Sequence, residues 1–432
     1  MKLSVIKLIS RGIFPLLMFF SVSVFSQQLE GNWWYFGQQA GLHFTNGYPE
    51  ADTNSPLSSM NSVATISDKN GNLLFLTDGI TVYDSTYQIM PGSNNLTITN
   101  AHRTLIVKAP SKELKYYVIN TTSGNNRQLV FFQIDMSLNN GLGDVISNSE
   151  TFLADSVNMG LACLDHSDGI RKWVLSQNIQ RGSYSAYLLD SAGIDSAGIE
   201  TIIGYQNNNG IISNIKSSPN SEKFISIHRH NGLRIEMYEF DKSSGIVNTF
   251  FYSKLFQGNL DEVLTASFST NSRVAYVGHR TYLFQYDIST TDSTLIHASE
   301  FVVDSVVDST LTVYTDMQLA IDGKIYGTFY PSLPLTRKLS VINCPNLLGS
   351  NCNYQDTVVD LKDRFPGYQL PTLNQTFFVN TDKFQAQSQS GDICDGDTAQ
   401  LIAYGAGADR FIWTMEDGSP ANTLSDDTLA NP

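Results

Sequence analysis

The chain has 432 residues, with 41 acids against 27 lysines and arginines, a net charge of -14 and 41% hydrophobic residues. An acid excess spread this thinly repels phosphate backbones and excludes nucleic acid as a partner. The length exceeds what one ordinary core organises, so a large repetitive domain, or several domains, is expected.

Residues 1–26 read as a secretory signal peptide. Lys2, Lys7 and Arg11 make a basic start, "IFPLLMFFSVSV" is an apolar run too short for a membrane span, and small Ser26 precedes cleavage at Gln27. Polar "SQQLEGN" follows without a basic flank, which argues against the alternative of an uncleaved anchor. No cysteine stands at the cleavage point, so a lipoprotein is not expected, and no later segment is apolar enough for a transmembrane helix. Removing those three cations, with no acid among them, takes the charge from -14 to -17. The mature chain is expected outside the cell or on its outer surface, with the export machinery as a partner.

The first mature segment, "NWWYFGQQAGLHFTNG" (32–47), is dense in aromatic surface, yet nothing before it can serve as its core. Beyond it, helical periodicity is almost absent. Runs such as "NLLFLTDG", "KYYVINTT", "KWVLSQN", "KFISIHRHNG", "RVAYVGHR" and "KIYGTFYP" carry the β-branched and aromatic content of strands. "KNGN", "IDGK" and "HNGL" supply hairpin turns. A second set of strands ends in aspartate, at Asp84, Asp135, Asp190, Asp241 and Asp287, with Asn343 in the same place. Successive intervals are 51, 55, 51, 46 and 56 residues, the spacing of a four-stranded propeller blade. The aspartates are expected to cap the turns that follow them.

Six units account for residues 62–361. "QLPTLNQTFFVN" after them is one strand without followers, and 32–52 is a set of strands without a leader. The expected fold is therefore all-β: a seven-bladed propeller over 27–384, its last blade shared between 32–52 and 368–380. In this arrangement Trp33, Trp34, Tyr35, Phe36, Phe377 and Phe378 clasp the two ends, and closure hides the edges of an open repeat. A ring of six with separate decorations is the alternative.

"NCPNLLGSNC" brackets a turn, so Cys344 and Cys352 are the expected disulfide, permitted by export. Cys163 reads as a small buried apolar residue. In 385–432, Cys394 precedes Trp413 by about the spacing of an immunoglobulin-like sandwich, here incomplete, so the chain reads as a piece of a longer protein.

No residue stands out as catalytic, and no cofactor or metal site is expected. Asp68, Asn70 and Asn72 alternate like the start of a calcium loop, but a hairpin turn explains them. His228 and His230 share a strand face without a third ligand. A glycosidase needs two convergent carboxylates, for which Asp165 and Asp316 are the candidates.

"NWWYFGQQAGLHF", "ATISDKNGNLLFLTDGITVYD", "QIMPG", "CPNLLGSNC" and "LPTLNQTFF" together resemble the N-terminal region of large secreted proteins of Bacteroidota. Those carry a propeller-like region, PKD or immunoglobulin-like domains, and a C-terminal type IX sorting domain of the gliding-motility-associated kind. The sorting domain is missing from this sequence. The resemblance implies display at the surface or secretion. Asp-Ser/Thr triplets also resemble the O-glycosylation acceptor of exported proteins of that phylum, which makes Ser156, Ser196, Ser305, Thr357 and Thr398 candidate acceptors; turn chemistry is the competing explanation. The expected function is recognition or adhesion, with glycans or extracellular proteins held by the propeller loops or funnel. The alternatives are a carbohydrate-active enzyme and a structural part of a motility or secretion assembly.

Overall fold

In a computed structural model, the described residues are 29–45, 48–112, 114–124, 127–178, 180–203, 211–229, 233–256, 264–279, 282–305, 312–331, 337–378, 385–388 and 401–404. They form a seven-bladed β-propeller. The first sheet holds Trp33–Phe36, Ala40–Thr45 and Tyr48–Asp52, and the second Ala64–Ser67, Leu73–Thr77 and Val82–Asp84. The third is Ala101–Lys108, Lys115–Thr122 and Gln128–Asp135, with Asp144–Val145 and Thr151–Asp155 both laid on that last strand. The fourth runs Val157–Asp165, Lys172–Asn178, Ser183–Leu189, Ile199–Ile202, and the fifth Ile211–Ser217, Lys223–Arg229, Leu233–Phe240, Val247–Phe256. Leu264–Phe268, Val274–His279, Tyr282–Asp287 and Phe301–Ser305 make the sixth. Thr312–Leu319, Ile325–Pro331, Lys338–Ile342 and Tyr354–Asp360 make the seventh.

Apart from Thr151–Asp155, which returns to pair with Gln128–Asp135, the strands of the seven sheets form antiparallel meanders in chain order, and the first strands of successive sheets pack beside one another around the axis. Alternation puts apolar residues on both sheet faces, because each blade is covered by two neighbours. Ile225, Ile235 and Met237 of the fifth sheet therefore share a core with Ala266, Val277 and Tyr286 of the sixth. Turns follow the aspartate rule. Asp84, Asp135, Asp190, Asp241 and Asp287 each accept the backbone N–H two residues on, from Thr86, Ser137, Ala192, Ser243 and Ser289, at 2.7–2.9 Å. Asn343 departs from the rule and donates to Asn353 O instead.

The N-terminal aromatics do find their core far downstream. Trp34, Tyr35 and Phe36 are fully buried in one cluster with Tyr326 of the seventh sheet and with Phe378; Trp33 and Phe377 pack at its margin. The Trp34 and Phe44 rings meet Tyr326 edge-on, at 5.9 and 5.8 Å between centroids. The manner of closure corrects the expectation of a shared last blade. Residues 368–378 add no strand to the first sheet, and Gln375–Phe378 is a 3-10 turn. Pro366 and Pro371 have no N–H to give to a ladder, which is why this apolar stretch cannot continue one.

Of the 385–432 segment, the described residues form a two-stranded antiparallel ribbon of Gln385–Ser388 with Leu401–Tyr404. Cys394, Thr398 and Trp413 lie outside the described residues, as do Ser26, Gln27 and the rest of 1–28. No described helix is long and apolar enough to cross a membrane.

Candidate functional site

Two places on a propeller can hold a ligand: the axial channel and the loops at its rim. Among the described residues, the chain itself fills the centre of the channel. Asp316, on the first strand of the seventh sheet, points into it and is 1% exposed. Its carboxylate meets Lys216 Nζ of the fifth sheet at 3.2 Å and Arg103 of the third at 3.4 Å. Thr265 Oγ1 of the sixth donates to it at 3.3 Å, and Leu370 N, from the segment after the last blade, at 3.1 Å. Burial alone raises a carboxyl, but Lys216 and Arg103 outweigh it and hold Asp316 below the ordinary 3.8. Lys216 also donates to Met317 O at 2.9 Å. The cavity left among Arg103, Lys216, Gln318, Thr372 and Gln375 is about 10 Å³, too small for any substrate.

At the rim the situation is the reverse. An open cleft of about 520 Å³ lies between the 3-10 turn Ser93–Asn95, which leaves the second sheet, and the loop 145–150 on the edge of the third. That volume suits a small ligand. Its lining includes Asn95, Thr97, Ser147, Asn148, Ser149 and Glu150 over Leu96 and Val145. The loop is braced from behind: Ile146 N donates to Gln133 O, and Gln133 N to Ser149 Oγ. Glu150 is oriented across the cleft by Thr97, whose N–H reaches Oε2 at 2.7 Å and whose hydroxyl bonds Oε1. Hydroxyls, amides and a carboxylate mix donors with acceptors, as recognition of a polyhydroxylated ligand requires.

The two candidate carboxylates of a glycosidase are not brought together as a free acid–base pair. Asp316 is consumed in the axial ion cluster, and Asp165 is paired with Lys172. His228 is buried 3.1 Å from Glu236, which also accepts the Tyr238 hydroxyl; His230 is outside the described residues. The "SDKNG" loop is a turn closed on itself, with Asp68 accepting from Asn70 N and Asn72 N. Among the described residues, no group of three or more His, Cys, Asp or Glu could hold a metal.

Cys344 and Cys352, the expected bridge, are both buried in the connection between the last two strands of the seventh sheet. Their backbones are joined, Cys344 N donating to Cys352 O at 2.9 Å. Burial pushes both thiols up, away from the thiolate that disulfide exchange uses. Cys163 is buried as expected. Of the candidate glycan acceptors, Ser196 and Ser305 are exposed, while Ser156 and Thr357 are half-buried at φ 54 and 49.

The sequence reading missed Arg103, Lys216 and the rim cleft. A cation inside the strands "AHRTLIVK" and "IISNIKS" was the available signal, since a charge facing inward must find a partner.

No family model and no curated protein matches the chain. Among solved structures, a Bacteroides uniformis protein with a provisional 6-phosphogluconolactonase name is similar over 76% of this chain and 97% of its own, at 9% identity and TM-score 0.47. The Dos1 propeller is similar over 67% of this chain and 68% of its own, at 11% identity and TM-score 0.43. A puromycin hydrolase aligns with 86% of this chain and 56% of its own, at 11% identity and TM-score 0.45. Likeness at this level concerns the fold alone and brings no activity with it.

Proposed function

We propose that this protein is an exported recognition module of the surface-displayed Bacteroidota kind, and that it binds hydroxyl-rich ligands such as glycans at its rim. One observation carries the choice of rim over funnel. The chain's own residues occupy the axis, whereas the cleft lined by Asn95, Thr97, Ser147, Asn148 and Glu150 is open. Export is supported by the basic and apolar segments of residues 1–26.

The test is a glycan and extracellular-matrix array probed with the purified chain, beside Asn95→Ala and Glu150→Gln. Binding of a glycan class, weakened about tenfold by either change, is expected, since each removes hydrogen bonding to the ligand. Silence across the arrays, or turnover of a polysaccharide, overturns the reading.

A further inference from the structure

After Asp360 the chain does what irregular segments seldom do: it goes inside. Phe365, Leu370, Leu373 and Phe378 are buried, and so are the polar Gln369, Asn374, Gln375 and Thr376. Irregular backbone normally stays at the surface, because its polar groups need partners. Here the ring supplies them. Phe365 O accepts Gln38 N of the first sheet's turn at 2.8 Å. Tyr368 N donates to Met60 O at 2.8 Å and Thr372 N to Val63 O at 3.2 Å, both on the lead-in to the second sheet. Leu370 N donates to Asp316, and Gln318 Nε2 of the seventh sheet donates to Gln375 Oε1 at 3.2 Å. Phe378 then seats in the core shared by the first and seventh sheets.

We propose that residues 361–378 are an axial strap, which closes the ring without adding a strand to the first sheet, touching its turn through the isolated bridge of Gln38 with Phe365, and is gripped through Asp316. The strap touches the first, second and seventh sheets directly. Through the carboxylate it also reaches Arg103 of the third sheet, Lys216 of the fifth and Thr265 of the sixth. Buried charge is costly unless fully partnered, and Leu370 N is one of the partners that complete this one. One consequence follows: the ring holds its strap when the link to the seventh sheet is cut.

That link is accessible, since Lys362 and Asp363 are both exposed. A specific protease recognition sequence inserted between them, in the full chain, allows the cut. After cleavage the C-terminal piece is expected to co-elute with the ring in gel filtration at neutral pH, with the circular dichroism spectrum unchanged. Leu370→Pro removes the N–H donated to Asp316, and in the cut protein it should speed release of the piece roughly tenfold, the effect of losing one bond to a charged group. Where Leu370→Pro does not fold, Asp316→Asn in the cut protein serves the same comparison. Separation of the unsubstituted pieces, unfolding of the ring on cutting, or release unaffected by the foldable variant overturns the strap.

Discussion

At Gly37 the backbone of the first sheet's turn passes so close to the strap that no side chain fits. Its φ is +57°, and an added Cβ would lie 2.1 Å from Phe365 O and 2.4 Å from Pro366 C. Gly367 answers from the other side at φ +71°, within 2.9 Å of Gly37 Cα measured from its own would-be Cβ. Gly349 is the natural control, with φ +65° and open space around it. Gly349→Ala should cost only the left-handed backbone, about 1–2 kcal/mol. Gly37→Ala adds steric overlap and should cost about 3 kcal/mol or more. Urea midpoints of the two variants decide between them. Equal losses would mean that the strap is not pressed against the first sheet.

At the level of elements, the aspartate that ends the third strand of the second to sixth sheets acts as a turn cap. Only Asp135 among the five is also ion-paired, with Lys115 at 3.3 Å, among the described residues. Asp287 makes the cleanest case, since its side chain accepts from Ser289 N at 2.9 Å on an otherwise solvated turn. Asp287→Ala should cost about 1 kcal/mol, one hydrogen bond. Asp287→Asn keeps the acceptor and should stay within about 0.5 kcal/mol of the parent. A shared loss in both would assign the effect to charge. Glycan attachment is decided by exposure at the same scale. In protein from its native host, peptide mapping is expected to find Ser196 and Ser305 modified ahead of Ser156 and Thr357; an unmodified intact mass removes the idea. The blades were legible because each unit repeats the same local chemistry, a hairpin glycine here and a capping aspartate there. The strap was not, because "QLPTLNQTFF" has the apolar content of a strand, and only Pro371 within it and Pro366 just before say that it cannot pair as one. Arg103, Lys216 and Asp316 were invisible for a different reason. They come from three units a hundred or more residues apart, so no window of sequence contains the cluster. The rim cleft likewise joins Thr97 to Glu150, 53 residues on.

For the molecule as a whole, one carboxylate ties blades together that are not neighbours, so its titration should be felt as the stability of the ring. Asp316 is held below the ordinary 3.8 in the folded state, against about 3.9 when unfolded. A depressed folded value stabilises fully above the unfolded one, and the contribution is lost as pH falls through the folded value. At pH 7, Asp316→Asn leaves two buried cations facing a neutral amide and should cost about 3–5 kcal/mol. The parent loses the same carboxylate to protonation in acid, so the gap between parent and variant should narrow below about pH 4. Other acids titrate there too, and only the difference between the two proteins isolates this one. Urea midpoints at pH 7, 5 and 3 measure it. A gap that stays constant down to pH 3 and below would show that Asp316 carries no charge at the axis, and the ion cluster would then not be what holds the ring's centre.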